Sequence, residues 1–255
     1  MLSKPVIKQL RSLHLKKFRE EEGVFLVEGP KMVNEVLVSR KWNVRAIYAL
    51  SSWKKPAGTL PCPVTEISEK ELEQISSLQQ PNKVVAVVDI PSDSKTPVTL
   101  PETGLFLLLD QIQDPGNLGT IIRIADWFGM KDVFCSPDTA DCFNPKVIQS
   151  TMGSLFRVSV HYLPLTDLLV KNAKGHQLPV YATMLNGKDI YTEPLKRDGL
   201  IILGNESRGV NPVLLPFVTN TILIPSKSTD YTGAESLNVA VAAGIVCAEF
   251  FRQMR

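Results

Sequence analysis

The sequence predicts an α/β protein of two domains, and three observations support this. Short apolar runs typical of strands alternate with segments typical of helices, which favours a mostly parallel sheet covered on both faces. The polar, proline-rich stretch PSDSKTPVTLPETG at 91–104 interrupts the alternation, and neither a helix nor a central strand tolerates that composition. A length of 255 residues suffices for one large or two small domains. We therefore predict a first domain over 1–95, a linker over 96–104 and a second domain over 105–255.

The first domain is predicted to be a small α/β unit. Its opening segment, 4–18, is typical of a helix, because apolar residues such as Leu10 and Leu13 recur near one face. The elements that follow are a strand at 24–27, a helix at 30–40, a strand at 44–50, a helix at 69–77 and a strand at 83–89.

The second domain resumes the alternation from residue 105. Its predicted strands are 105–110, 132–135, 157–162, 179–183, 200–203 and 221–224. Its predicted helices are 117–128, 144–151, 165–172 and a final helix from about 235.

The final helix is unusually apolar. Between Leu237 and Ala248 its only polar side chain is Asn238, and a helix that is apolar nearly all round must be buried on nearly all sides. A second subunit covering one face would bury it, which favours a two-fold homodimer. A helix wedged between the sheet and loops of the same chain is the alternative.

Composition excludes several classes of protein. Hydrophobic residues make up 44% and charged residues 21%, as in ordinary globular proteins. The longest apolar run, 239–248, is too short for a bilayer, and the first twenty residues lack the features of a signal peptide, so we expect a cytoplasmic protein without membrane contact. The cysteines and histidines are scattered, so neither disulfides nor a metal site is expected.

The distribution of charge is more informative than the formal net charge of +2. Residues 1–19 carry basic side chains and no acidic one. A solvated helix face is the ordinary explanation of such a run, and contact with nucleic-acid phosphates is the alternative. The basic residues are Lys4, Lys8, Arg11, Lys16, Lys17 and Arg19.

Three segments of the second domain lead from a predicted strand into a glycine-containing loop. They are DPGNLGTIIRIADWFG at 114–129, ILGNESRGV at 202–210 and IPSKSTDYTGAESLNVAVAAGI at 224–245. Because α/β proteins build ligand sites at strand ends, these segments indicate a nucleotide-like ligand. The spacing of Gly204 and Gly209 matches a Walker A motif, but the following Lys and Ser/Thr are missing and no G-x-G-x-x-G occurs. An ATPase or a dinucleotide oxidoreductase is therefore poorly supported.

In order and spacing, these segments resemble the three motifs of the TrmH/SpoU family of RNA ribose 2'-O-methyltransferases, a branch of the SPOUT superfamily. EEGVFLVEGPKMVNEVLVSR at 21–40 resembles the RNA-binding domain that often precedes the catalytic domain, so the similarity covers nearly the whole chain. The resemblance implies an N-terminal fold like ribosomal protein L30e and a trefoil-knotted C-terminal sheet that binds S-adenosyl-L-methionine.

The activity that the resemblance implies is 2'-O-methylation of a ribose in structured RNA, with rRNA favoured over tRNA. The alternatives are a nucleobase methyltransferase, a rearranged family member with another methyl acceptor, a noncatalytic RNA-binding protein that retains the fold and a purely structural dimerisation module.

The match to N-x-G-x-x-x-R-x-A identifies Asn117 and Arg123 as candidate catalytic residues. By resemblance, Arg123 would activate the 2'-hydroxyl together with an RNA phosphate, and Asn117 would help to orient it. Since a guanidinium does not deprotonate at neutral pH, we expect it to stabilise the developing alkoxide electrostatically. Six residues do not share one helix face, so the pair converges only if Asn117 lies in the entering loop. Without the resemblance, an N-cap and a surface ion-pair partner would be the ordinary explanations.

The other two motifs supply the remaining candidates. Glu206 matches the family's second-motif glutamate, which is expected to organise the RNA site or Arg123. Ser236 and Asn238 match active-site positions, although helix capping also explains Asn238. The cofactor contacts that the resemblance implies are Thr183, Leu185, Gly187, Gly204, Asn205, Ile224 and Leu237.

One departure from the family pattern concerns the third segment. Many relatives have IPM and a short glycine-containing loop, whereas here Ser226 replaces the methionine and SKSTDYTGAE separates Pro225 from Ser236. The longer loop is expected to alter cofactor binding or substrate choice rather than the type of reaction.

Overall fold

The structure, a computed structural model, describes residues 1–39, 41–91, 100–226 and 236–254. Two compact units are present, one formed by Met1–Lys95 with Asp141–Arg157 and the other by Thr96–Ala140 with Val158–Arg255. Residues 141–157 thus pack with the N-terminal unit, although they follow the predicted linker in the sequence. Most of that linker, 92–99, lies outside the described residues, and the predicted domain limits stay a prediction.

Both units alternate helices and strands. The helices are α1 (Lys4–Ser12), α2 (Lys16–Glu22), α3 (Pro30–Ser39), α4 (Glu69–Ile75), α5 (Pro115–Trp127), α6 (Pro145–Thr151), α7 (Leu165–Lys174) and α8 (Val239–Gln253). The strands are β1 (Val24–Glu28), β2 (Val44–Ala49), β3 (Val64–Glu66), β4 (Val84–Asp89), β5 (Leu105–Leu109), β6 (Asp132–Cys135), β7 (Ser159–Tyr162), β8 (Val180–Asp189), β9 (Gly199–Leu203) and β10 (Asn220–Leu223). Short 3-10 helices lie at Ser154–Phe156 and Pro212–Phe217.

The first unit is built on a four-stranded sheet in the order β1-β4-β2-β3. Strand β4 pairs antiparallel with β1 and β2, and β2 pairs parallel with β3. Successive residues of β1 point to opposite faces, so Leu26 packs with Leu10 and Ile75 on one side. On the other side Phe25 contacts Trp42 and Phe143, with ring centroids 5.6 and 4.7 Å away. Both faces of this sheet are therefore covered.

The helix predicted over 4–18 is wrong in one respect, because α1 ends at Ser12 and α2 begins at Lys16. The break is stabilised by Arg19, whose side chain is only 2% exposed. Its Nη1 donates to the carbonyl oxygens of Leu13 and His14, both at 2.9 Å, and its Nη2 donates to Asp141 at 2.6 Å. Hydrogen bonds from a residue further along the chain thus replace those that a continuous helix would make.

The second unit confirms the predicted parallel sheet. Its six strands lie in the order β10-β8-β9-β5-β6-β7, and all neighbouring pairs are parallel. From β5 the chain proceeds through β6 and β7 on one side, and strands β8 to β10 lie on the other. The boundary between β5 and β9 is therefore a topological switch point, where open parallel sheets bind ligands beyond the carboxyl ends of the strands.

Three element ends near this edge differ from the prediction. Helix α5 begins at Pro115, two residues early, because the carboxylate of Asp114 caps it by accepting from the amide of Asn117. Strand β8 continues to Asp189, but its register against β10 shifts, so residues 183–187 stand outside the ladder. Helix α8 begins at Val239, and the predicted start near 235 falls outside the described residues.

The end of α8 is tied to the segment that joins β8 to β9. Glu249 is buried and accepts two hydrogen bonds of 2.7 Å from Arg252 and one of 2.8 Å from Gln253. The Gln253 side chain also accepts from the amide of Leu195 at 3.0 Å and donates to the carbonyl oxygen of Glu193 at 3.2 Å. This network secures the C-terminal helix against the chain that precedes β9.

Unfolding free energy is expected to depend on pH through Glu249. The Arg252 hydrogen bonds, with that from Gln253, lower the pKa of Glu249 from 4.5 to about 2. A lowered folded-state pKa stabilises the fold above the unfolded-state value, and that contribution is lost as pH falls from about 4.5 towards 2. Glu249→Gln should therefore cost about 1 kcal/mol at pH 7, and the difference from wild type should shrink below pH 4.5. Arg252→Gln should reproduce this dependence in urea titrations, whereas a difference independent of pH would contradict it.

Candidate active site

The predicted site residues come from segments that follow four neighbouring strands. In the order β10-β8-β9-β5, each of these parallel strands ends at the same edge of the sheet. Residues 183–187 leave the β8 ladder there, 204–211 follow β9, and 110–114 connect β5 to α5. The sheet therefore brings residues that are far apart in sequence to one edge.

At this edge Asn117, Glu206 and Asn238 form a hydrogen-bonded group, which we call the Asn–Glu cluster. Asn117 Nδ2 donates to Glu206 Oε1 at 2.9 Å, and Asn238 Nδ2 donates to Asn117 Oδ1, also at 2.9 Å. Asn117 is half-buried, and the other two side chains are exposed. Each residue belongs to a different predicted motif, so the structure brings one polar residue from each motif together.

The orientation of both amides follows from the hydrogen bonds of α8. Asn238 Oδ1 caps this helix by accepting from the amides of Ala240 and Val241 at 3.0 and 3.3 Å. Since backbone N–H groups require an acceptor, the Asn238 oxygen must face the helix and its NH2 group must face Asn117. The Asn117 NH2 group is then left to face Glu206. The start of α8 thus orients the NH2 groups of Asn238 and Asn117 in one direction, towards the carboxylate of Glu206.

The loop that carries Glu206 is tightly closed. A Cβ atom on Gly204 would lie 2.4 Å from the carbonyl carbon of Gly209, a separation that no side chain can occupy. Asn205 and Gly209 exchange two backbone hydrogen bonds, of 3.0 and 2.9 Å. Gly209 itself has a φ of 69°, in the region that favours glycine. Both glycines are therefore required by the backbone of this loop.

Asn205 organises the same loop with its side chain. Its Oδ1 accepts from the amides of Ser207 and Arg208 at 3.0 and 3.1 Å. Its Nδ2 donates to the carbonyl oxygen of Gln111 at 2.8 Å, which joins the loop after β9 to the loop after β5. The polar atoms of Asn205 are thus engaged within the protein, and its predicted contact with a cofactor stays a prediction.

Asp110 holds the end of this loop in place, and the sequence analysis did not single it out. It is 3% exposed, and its carboxylate accepts from the amide of Asn211 at 2.7 Å, at the far end of the loop that carries Glu206. Burial raises the pKa of Asp110, and nearby Asp138 also raises it. The sequence did contain a signal for it: a single carboxylate ends the apolar run LFLLLD, and a buried carboxylate needs hydrogen-bond partners.

Arg123 does not join the Asn–Glu cluster. Asn117 lies in the first turn of α5 rather than in the entering loop, so six helical residues place the two side chains about 120° apart around the axis. The condition for their convergence is therefore not met. Arg123 is exposed, and its side chain has no hydrogen bond or ion pair with any described residue. Its catalytic role stays a prediction.

The remaining cofactor candidates lie on or beside the same strand ends. Thr183 Oγ1 donates to the carbonyl oxygen of Ile202 at 3.1 Å, and a Cβ atom on Gly187 would lie 2.6 Å from the carbonyl carbon of Ile222. Leu185 is 71% exposed. The half-buried Ile224 follows β10, and the exposed Ser236 and Leu237 precede Asn238.

These residues fit an adenosine-containing group. Exposed Leu185 and Leu237 offer apolar side chains that an adenine ring would cover, and the glycines let the backbone come close. Across residues 1–39, 41–91, 100–226 and 236–254, no group of three His, Cys, Asp or Glu could hold a metal ion. In the same ranges, no helix is both long and apolar enough for a membrane span.

A parallel sheet with a polar cluster at its switch point is typical of α/β proteins that bind nucleotide-like ligands. Residues 104–248 match the SpoU rRNA Methylase family, and residues 4–86 match the MRM3-like substrate binding domain. The chain belongs to the SpoU rRNA methylase family.

Relatives and solved structures cover almost the full chain. The 23S rRNA (guanosine(2553)-2'-O)-methyltransferase RlmP of Bacillus subtilis is 34% identical over 94% of this chain and 93% of its own. A TrmH-family structure from Porphyromonas gingivalis has a TM-score of 0.88 and 37% identity, with 99% of each chain covered. The SpoU methyltransferase AviRb from Streptomyces viridochromogenes, in complex with AdoMet, has a TM-score of 0.82 and 26% identity, covering 99% of this chain and 98% of its own.

Membership of this family confirms the predicted enzyme class, an RNA ribose-2'-O-methyltransferase that uses S-adenosyl-L-methionine. The trefoil knot and the L30e-like character of the N-terminal unit stay predictions.

Proposed function

We propose that this enzyme methylates the 2'-hydroxyl of a ribose in ribosomal RNA. The observation that carries the proposal is the Asn–Glu cluster, because it joins one polar residue from each motif at the switch point of the sheet. The relative from Bacillus subtilis is named for a guanosine of 23S rRNA, which favours ribosomal RNA over transfer RNA. A cytoplasmic location remains part of the proposal.

The cofactor supplies an electrophilic methyl group, and the protein supplies placement and electrostatics. In-line transfer needs the ribose oxygen fixed opposite that methyl group, and the hydroxyl proton must leave. The second carboxylate oxygen of Glu206 has no partner among the described residues, so it can accept a hydrogen bond from a ribose hydroxyl or from Arg123. The residues that we propose to hold the cofactor are Thr183, Leu185, Gly187, Gly204, Asn205, Ile224 and Leu237.

Arg123 is proposed to stabilise the alkoxide that develops on the ribose. Its guanidinium is exposed and has no partner within the described ranges, and a positive charge beside a developing negative one lowers the barrier most where water is excluded. The proton would leave to an RNA phosphate or to water, since the guanidinium stays protonated at neutral pH. We propose that Ser236 contributes a hydroxyl to the same site.

A homodimer is proposed because large apolar side chains are left exposed on α5 and at the start of α8. The two helices pack on each other, and Trp127, Val241 and Leu237 are 84%, 52% and 49% exposed. Large apolar side chains that are left exposed on a folded protein are typical of interaction surfaces. Arg123 lies one turn before Trp127 on the same side of α5, so a partner that covered Trp127 would also enclose Arg123.

A charge at Trp127 is expected to prevent dimerisation. Trp127→Glu should give a monomer in analytical ultracentrifugation at micromolar concentration, because an unpaired carboxylate would be buried in the interface. Methyl transfer should fall by about 10-fold or more if Arg123 acts within the dimer. Val213→Glu is the matched control, since Val213 is 54% exposed in the same unit but lies on the 3-10 helix at Pro212–Phe217. A dimeric Trp127→Glu protein, or a monomeric wild type, would contradict the proposal.

The substrate class can be tested with RNA from cells that lack the protein. Purified ribosomal and transfer RNA fractions are incubated separately with the enzyme and S-adenosylmethionine labelled in the methyl group. We expect label in the ribosomal fraction alone. Label in transfer RNA alone would overturn the substrate assignment, and no label in either, although both RNA and cofactor bind, would favour the noncatalytic RNA-binding alternative.

A further inference from the structure

The basic residues at the N-terminus are not equivalent in the structure. Arg19 is buried and ion-paired with Asp141, so it cannot contact a ligand. Lys16 and Lys17 of α2 lie 3.7 and 3.8 Å from Glu20 and Glu21 on the same helix. Three of the six cations are therefore engaged within the protein.

The other three form a separate surface on α1, which we call the α1 basic face (Lys4, Lys8 and Arg11). Their spacing of four and three residues places them within about 60° of one another around the helix axis. All three are exposed, whereas Leu10 points to the core. The face spans about 10 Å along the helix, from a rise of about 1.5 Å per residue.

The α1 basic face lies on a helix anchored in the core, and it has no acidic partner among the described residues. Leu10 and Leu13 anchor the helix in the core, and Arg19 holds the turn that follows it. None of the three cations has a hydrogen bond or ion pair with a described residue. The nearby carboxylate of Glu71 is engaged by Ser68 and by the amide of Leu2. A row of three cations, without a partner in the part of the chain that the structure describes, is thus presented to solvent.

We propose that the α1 basic face binds successive phosphates along one strand of the RNA substrate. The inference rests on the proposed function, which supplies an anionic partner, and on charge complementarity with a regularly spaced row of cations. Such contacts position a substrate without reading its sequence. The face would therefore raise the affinity for RNA and orient it, while the chemical step depends on residues of the second unit.

Two double variants with the same change in charge test this. Lys4→Gln/Lys8→Gln removes two unpaired lysines, and Lys16→Gln/Lys17→Gln removes two paired lysines from the next helix. The dissociation constant for deproteinised ribosomal RNA is measured between about 50 and 300 mM KCl. Affinity that depends on phosphate contacts falls steeply over about this range of salt concentration. Circular dichroism confirms that each variant is folded.

For Lys4→Gln/Lys8→Gln we expect about 10-fold weaker binding near physiological salt and a fall of about 2 in the slope of log K against log salt. Turnover at saturating RNA and the affinity for S-adenosylmethionine should not change. The paired-lysine variant should bind within about 2-fold of wild type. Adding Arg11→Gln should lower the slope by about one more.

The proposal would be overturned if the two double variants changed RNA binding equally or not at all. It would also be overturned if the wild type did not bind RNA. So would loss of binding to phosphatidylglycerol vesicles without loss of RNA binding, since the face would then serve a membrane surface. If the wild-type enzyme methylates RNA but the salt dependence of RNA binding is the same in Lys4→Gln/Lys8→Gln as in wild type, this inference alone is rejected. If the wild type binds RNA and the double variant shows the expected lower slope of log K against log salt, but the wild type transfers no methyl group, the proposed function alone is rejected.

Discussion

Arg123→Ala is expected to lower the rate of methyl transfer about 10²- to 10³-fold, as when one group that stabilises a developing oxyanion is removed. This side chain is exposed and has no partner among the residues that the structure describes, so its loss leaves none of their buried groups unpaired and should not destabilise the fold. Single-turnover rates at saturating RNA and cofactor isolate the chemical step from binding. Dissociation constants for both substrates should change by less than about 3-fold.

Two further variants test whether the guanidinium itself is required or any positive charge is sufficient. Arg123→Lys keeps a positive charge but loses the planar pair of donors, so we expect a loss of about 10-fold or more. Lys171→Ala, which removes an exposed cation from α7 in the same unit, is the control and should retain full activity. Near-normal turnover of Arg123→Lys would show that any cation serves, and normal turnover of Arg123→Ala would exclude a catalytic role.

Asn117→Asp has the second largest expected effect, a loss of about 10- to 100-fold in kcat. The replacement has nearly the same shape, but it puts a carboxylate where an NH2 group now donates to Glu206 at 2.9 Å. The two like charges repel, and Glu206 must move away from its present position. The measurement is kcat at saturating RNA, with thermal unfolding as a check that the fold is retained.

Asn238→Asp is the matched control for this experiment. An aspartate can still cap α8, because its oxygens accept from the amides of Ala240 and Val241. It replaces the donation to Asn117 by a contact between two acceptor oxygens, but at the end of the cluster further from Glu206. We therefore expect a smaller loss than for Asn117→Asp. A fully active Asn117→Asp enzyme would mean that the position of Glu206 is irrelevant to catalysis.

The alternation of strands and helices was predictable from the sequence because buried parallel strands are continuous apolar runs. The motif order also predicted which loops meet, since the carboxyl ends of parallel strands share an edge. The start of α5 at Pro115 could also have been predicted, because Asp114 followed by Pro115 is a typical N-cap and first helical residue. Strand β3 was missed because Val64–Glu66 is short and exposed, and therefore has no apolar pattern.

Contacts between distant parts of the chain could not be predicted from local patterns. Arg19 belongs to an apparently solvated basic run, yet its burial depends on Asp141, 122 residues further along the chain. The bond between Asn117 and Asn238 joins residues 121 positions apart, and that between Asn117 and Glu206 spans 89. Periodicity within a helix or strand carries no information about such partners.

The most direct test of the central claim is the chemical position of the transferred methyl group. RNA labelled by the wild-type enzyme is hydrolysed with alkali, which cleaves next to every free 2'-hydroxyl but not next to a 2'-O-methyl ribose. We predict that the label is recovered in an alkali-resistant dinucleotide, and that Arg123→Ala lowers the rate at which it appears about 10²- to 10³-fold. Label recovered in single nucleotides would place the methyl group on a base and would contradict the account.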